Sequence, residues 1–322
     1  MKHTTFAAVA ALLIGTGAAS AQTLKMATIE PSLGAAIVMS TFANIVTDAL
    51  DGTEIEVAGG GAATLHMLEV ARGNLDMSMV SPSIYPLMKG GRAMYANEPD
   101  APALSENLAL VMWFPYGQYH YAVRADSGIE SLDDIEGTTA FIGPAGGGAF
   151  VTAKGWIEAT TGLVAGEDYE AITANWATGF QSFLDGKIDV YVNGCLDPCQ
   201  QFLQITETEE IRFIGPEDWS GEAVTNFLGR LRSLSEVPAG VYDGVVNDTP
   251  VMSHDTNVGI GVRADLDEET VYQITRAFWE NLDSITSEAP WAKAISIEIA
   301  VKDLGMPLHP GARRYYEEVG AL

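Results

Sequence analysis

Apolar positions along this chain keep two rhythms in turn. Between Thr23 and Ile29 they alternate with polar residues, as in a half-buried strand. Between Ala35 and Leu50 they recur every three or four places (Ile37, Val38, Phe42, Ile45, Val46, Ala49), as on one face of a helix. Thr53–Ala58, the triplet Gly59-Gly60-Gly61 and a helical stretch over Thr64–Arg72 repeat the unit. A third strand over Asp76–Val80 closes on Ser81-Pro82-Ser83. Repeated strand, loop and helix predict an α/β chain whose mostly parallel sheet carries helices on its faces.

An acid- and proline-rich loop over 98–106 leads to the extended stretch Leu108–Val123. That stretch is broken at Pro115 and Gly117 and crowded with Trp113, Phe114, Tyr116, Tyr119 and Tyr121. A short helix over Leu132–Ile135 precedes the strand Ala140–Ile142. The chain then runs through Gly143-Pro144 and Gly146-Gly147-Gly148 into a helix marked by Phe150, Ala153, Trp156 and Ile157. Strands are expected over 169–172, 188–193 and 211–214, with helices over 180–186 and from Asp197-Pro198 through Ile205. Past Leu231 the pattern loosens; 256–262 is extended again, and helices over 268–284 and 289–303 close the chain. Val-Arg-Ala-Asp occurs at 123–126 and again at 262–265. Two extended segments ending in the same polar turn fit the outgoing and returning connections of a two-lobed molecule.

The first 21 residues stand apart. Lys2, the apolar run Phe6–Ile14 and Ala19-Ser20-Ala21 form a cleavable export signal, too short to span a bilayer. The mature chain is expected to start at Gln22 and to reside in the periplasm. With 43 acidic against 17 basic residues the net charge is −26. Such a surface repels nucleic acid and anionic lipid, which excludes both as partners. Cys195 and Cys199, with no histidine close by, fall short of a zinc set, and a bond between them inside one helical turn is awkward. They read as two small, half-buried thiols, with a local disulfide as the alternative.

The glycine triplets carry the candidate chemistry. A strand passing through glycines into a helix start leaves backbone N–H groups bare at the positive end of the helix dipole, a seat for an anion. Gly60, Gly61 and Ala62 form one such start, and Gly147, Gly148 and Ala149 the other. A carboxylate held between them, from opposite lobes, is the leading picture. Glu30, in the loop Glu30-Pro31-Ser32, together with the rings of Trp113, Phe114, Tyr116, Tyr119 and Trp176, would hold an ammonium, so a zwitterion satisfies both halves. His66 is placed to donate to a carboxylate, and Ser81 closes the third strand. Asn175, Trp176 and Asn193 follow or end strands of the second lobe, where α/β sheets keep their ligands. His309 reads as fixing a turn with Pro310 and Gly311. There is no G-x-S-x-G elbow, no H-E-x-x-H and no Lys-Ser/Thr after a glycine loop, so no catalytic constellation, metal or cofactor is expected.

Several runs together point to a family: V-R-A-D-S-G-I-E-S-L-D-D-I-E-G (123–137), I-G-P-A-G-G-G (142–148), F-L-D-G-K-I-D-V (183–190), P-A-G-V-Y (238–242) and P-L-H-P-G-A-R-R-Y-Y-E-E-V-G (307–320). Over nearly the whole mature chain they resemble the solute-binding subunit of the TAXI class of TRAP transporters. The resemblance implies a two-lobed, type II periplasmic-binding-protein-like α/β fold, with central mixed sheets flanked by helices and a hinge of crossing strands. The lobes would be 22–121 plus 262–322, and 122–261. It implies a monomer that hands a small-molecule solute, commonly a dicarboxylate or acidic amino acid, to a sodium-coupled TRAP membrane permease subunit. Departures from the family pattern bear on the ligand. Pro31 stays but glycines are missing around it, the family's serine and asparagine fall at Ala63 and His66, and its G-S-G-T is Gly146-Gly147-Gly148-Ala149. The scaffold therefore carries over and the usual ligand does not. Two other readings are a dehydratase-like enzyme on the same fold, with Glu30 or His66 as acid–base group, and a periplasmic sensor.

Overall fold

The computed structural model describes residues 22–322 other than 288, and the export signal lies outside the described residues. Ten strands form one mixed sheet: β1 (Gln22–Thr28), β2 (Thr53–Gly59), β3 (Met77–Val80), β4 (Leu108–Arg124), β5 (Thr139–Phe141), β6 (Glu170–Ala171), β7 (Val190–Cys195), β8 (Ile211–Phe213), β9 (Arg232–Val237) and β10 (Val251–Arg263). Its main path runs β2-β1-β3-β10-β4-β7-β5-β6, with β8 beside β4 and β9 beside β10. β1 is parallel to β2 and β3, and β5 is parallel to β6 and β7, as strand–helix–strand units require. Between these parallel ends lie β4 and β10, antiparallel to each other and to their outer neighbours. The mixed α/β fold expected from the sequence is the fold observed.

Helices cover the sheet: α1 (Gly34–Ala49), α2 (Ala63–Ala71), α3 (Tyr85–Lys89), α4 (Ala101–Leu104), α5 (Gly148–Thr161), α6 (Trp176–Leu184), α7 (Gln200–Thr206), α8 (Glu222–Leu228), α9 (Glu268–Asn281), α10 (Ile297–Ala300) and α11 (Pro310–Glu318). In α1 the residues at helical spacing, Ala35, Val38, Met39, Phe42, Ile45 and Val46, are buried, and the Phe42 ring packs tilted against Phe278 of α9, centroids 5.0 Å apart. Both Val-Arg-Ala-Asp copies finish a long strand. Arg124 ends β4 and donates to the carbonyls of Phe183 and Leu184, and Arg263 ends β10 and pairs with Asp76.

Several local expectations change. Pro115 and Gly117 do not end the strand at 108–124: a register shift between Thr256 and Asn257 of β10 accommodates Pro115, which has no N–H to give the ladder. Gly117, at φ +105°, lies where a Cβ would overlap the Cys195 carbonyl, so the strand passes there only as glycine. The looser stretch past Leu231 contains β9, β10 starts at Val251 and not 256, and α6 starts at Trp176 and not Phe180. The helix expected over 289–303 is a 3-10 turn and the short α10, and His309 begins a further helix, α11, by accepting from the N–H of Gly311. The cysteines are joined in a disulfide. Asp197-Pro198 does not start a helix, so residues 195–199 form a loop with the two Cα atoms 5.7 Å apart, where one helical turn would have held the thiols awkwardly.

Candidate functional site

Two helices start at one cavity. α2 begins beyond Gly60 and Gly61, whose φ angles of +98° and +85° turn the chain from β2 into the helix. α5 begins after Gly146 and Gly147. Neither start has a side-chain cap: the N-cap positions are Ala62 and Gly147, which leave the first-turn N–H groups to whatever occupies the space in front. α2 belongs to the β2-β1-β3 side of the sheet and α5 to the β7-β5-β6 side, so the two positive helix ends meet from opposite sides of the β4–β10 pair. The cavity between them has a volume of about 60 Å³. One water needs roughly 10–15 Å³ by that measure, so the space is that of about four to six waters and admits a small solute.

Among the residues expected at the site, Gly61, Ala62, Ser81, Gly147, Gly148, Ala149 and Trp176 line this cavity. Gly148 faces Ile84 across it, and a Cβ on Gly148 would sit 3.4 Å from the Ile84 side chain. Glu30 and Ser32 line a separate pocket of about 280 Å³ with Gln200, Gln201 and Gln204, and Trp176 is the wall shared by both. Pro31 packs against Gly59, leaving no room for a side chain there. Gly60 shapes the turn without lining the cavity. The His66 ring covers Gly61, its Nε2 2.8 Å from where a Cβ would stand, and burial pushes its pKa below the ordinary value against the pull of Glu69. Asn175 caps α6 by accepting from the N–H of Thr178 (2.8 Å). Asn193 is buried beside the disulfide, its Nδ2 donating to Gln201 Oε1 at 3.4 Å.

Of the aromatic residues, Tyr116 and Tyr119 line the cavity, whereas Trp113 and Phe114 are enclosed in the core. Burial raises both phenols well above their ordinary range, and for Tyr119 the charge of Arg232 and a contact with Thr152 partly offset it. Both therefore stay protonated at neutral pH and serve as hydrogen-bonding, apolar walls. The sequence reading missed Thr152 and Thr256, which also line the cavity. Thr152 lies four residues past Gly148 on one face of α5, a spacing that marks it. Thr256 carries no such mark, because it reaches the cavity through the pairing of β10 in the sheet. Among the described residues no three His, Cys, Asp or Glu are grouped to hold a metal.

The pattern of the NMT1-like family matches residues 32–320, which takes in both glycine-lined helix starts. The chain belongs to the NMT1-like family. Solved structures extend the comparison to the fold of this NMT1-like chain. The periplasmic aliphatic sulphonate binding protein SsuA from Escherichia coli aligns with a TM-score of 0.50 at 14% identity, covering 92% of this chain and 78% of that one. The alkanesulfonate-binding protein SsuA from Xanthomonas axonopodis pv. citri, bound to MOPS, aligns at 0.51 and 14% identity, covering 92% and 83%. A protein from Bordetella bronchiseptica RB50 aligns at 0.55 and 12%, covering 93% and 82%. The NMT1-like chain thus has the fold of periplasmic solute-binding proteins, and no described helix is long and apolar enough to cross a membrane.

Proposed function

We propose that the chain is the periplasmic receptor of a TAXI-type TRAP secondary transporter, binding a small carboxylate or amino-acid-like solute and delivering it to the membrane permease subunit. Its lobes are residues 22–121 plus 262–322, and 122–261, and they close on the solute by bending where β4 and β10 cross. One observation carries the reading: two uncapped helix starts, from opposite sides of the β4–β10 pair, open on a single cavity. Bare amides at a helix start hold an anion with no side-chain help. The disulfide Cys195–Cys199 supports an oxidising compartment outside the cytoplasm, in keeping with the export signal. Glu30 and His66, the acid–base candidates of an enzyme reading, do not line the cavity, so nothing there favours catalysis over binding.

Mass spectrometry of the solute that copurifies with the native protein, released by denaturation, tests the reading. A stoichiometric small acid is expected in the wild type. Gly148→Val drives two methyls toward Ile84 and should abolish that occupancy while moving the melting temperature little, because Gly148 has an ordinary φ and only Ile84 in front of it. Equal occupancy in the variant would place the solute elsewhere.

A further inference from the structure

Ile29, Met67, Met79, Ile84, Trp176 and Val258 wall the cavity, and no Asp, Glu, Lys, Arg or His is among its lining residues. A solute's ammonium would be enclosed there without a counter-ion, the costly way to bury a charge. The acids nearest in sequence to the lining do not supply one. Glu30 lines the neighbouring pocket. Asp255 precedes Thr256 on β10, so it leaves the strand on the other face, where it bonds to Ser233.

The surroundings hold instead a cation that wants an anion. Arg232 opens β9, and the register pairs it with Thr256, a cavity residue. Its Nη2 donates to Ser83 Oγ at 3.0 Å, two residues beyond the cavity residue Ser81. Its Nη1 donates to the Phe227 carbonyl at 2.9 Å, and the guanidinium lies 4.4 Å over the Phe227 ring. Nε is buried with no partner. Of the other partly buried arginines, Arg124, Arg263 and Arg314 are paired with Glu209, Asp76 and Glu269, and Arg212 lies on β8, away from the cavity lining; among the described residues Arg232 has no carboxylate partner.

Resting on the receptor reading above, we propose that the solute is a monocarboxylate with a hydrocarbon body and no ammonium group, and that Arg232 selects its charge. The carboxylate faces the bare amides of α5 and the unused donor of Arg232, and the hydrocarbon body fills the space between the methionine, isoleucine and aromatic walls. A guanidinium at the edge of a water-poor space favours an anion over its neutral isostere by about tenfold or more.

The probes are 4-methylpentanoate, its neutral amide, leucine and glutamate, titrated against solute-stripped protein by the change in tryptophan fluorescence. In the wild type 4-methylpentanoate is expected to bind about tenfold or more tightly than the amide, and more tightly than either amino acid. Arg232→Met should bring acid and amide to similar affinity while leaving the amide's own affinity in place, and Arg232→Lys should restore part of the preference. Leucine or glutamate binding as tightly as the acid, or an acid-to-amide ratio unchanged in Arg232→Met, would overturn the inference and leave the receptor intact. Failure of all four probes would overturn it too, while the copurified-solute measurement decides the receptor reading separately.

Discussion

At the scale of single residues, the surroundings of Arg232 also decide how one histidine titrates. His254 is fully buried on β10, its ring packed against Tyr119, Trp156 and Phe227 at 4.5, 4.9 and 5.2 Å, with Nε2 3.0 Å from the Tyr121 hydroxyl. Burial, and then the charge of Arg232, hold its pKa well below the ordinary value of 6.5. The folded state therefore keeps His254 neutral while the unfolded chain takes up a proton below about pH 6.5. Stability is fully present above that pH and falls as pH drops through it, at up to about 1.4 kcal/mol per pH unit. Thermal melts from pH 7.5 to 5 are expected to slope downward, and His254→Gln should flatten part of that slope. An identical slope in the variant would assign the pH dependence to other groups, such as His66 and His309, whose pKa values burial also lowers.

At the scale of elements, the strand–glycine–helix units were legible because period and punctuation agree: alternation in β1 and β2, glycines with positive φ after β2, and three-and-four spacing in α1 and α5. The elements that escaped are those whose residues are chosen by a partner. β9, Arg-Ser-Leu-Ser-Glu-Val, buries only its last residue, so its pattern shows no inward face and its pairing with β10 defines it. The disulfide escaped because spacing alone suggested a helical turn, whereas Cys195 ends β7 and Cys199 precedes α7. At the site, the two glycine loops could be read, but the separation of Glu30 from them by Trp176 is a matter of packing that no spacing encodes. Closing a five-residue loop, the Cys195–Cys199 bond should contribute about 2 kcal/mol by chain entropy. Urea unfolding of the Cys195→Ser/Cys199→Ser double variant is expected to show a loss of that size with solute binding retained. No loss would mean that the loop is ordered without the bond, by Cys199 N–H to Tyr242 and Asp197 to His120.

At the scale of the whole molecule, the two proposed lobes also touch away from the cavity. Gln201, at the start of α7, donates to the Ser32 carbonyl at 2.8 Å, and its Oε1 is held by Asn193. A contact made only when the lobes are together favours the closed state by roughly 1 kcal/mol without touching the solute. Gln201→Ala is therefore expected to weaken solute affinity about fivefold and to raise the radius of gyration measured by X-ray scattering at sub-saturating solute. Unchanged affinity would show that closure does not use this contact.

β4 and β10 serve both ends of the sheet with one unbroken backbone each. β10 pairs with β3 through Gly259–Val262 and with β9 through Val251–Thr256, while β4 pairs with β7 through Gln118–Val123. Neither end owns a complete set of ladder partners, so a fragment cut at the crossing would expose a raw edge, and melting one end pulls rungs from the other. Calorimetry should accordingly record one endotherm whose van't Hoff and measured enthalpies coincide. Two resolved peaks would reveal that the crossing strands can be peeled apart, and that what bends in the native protein is also where it first comes undone.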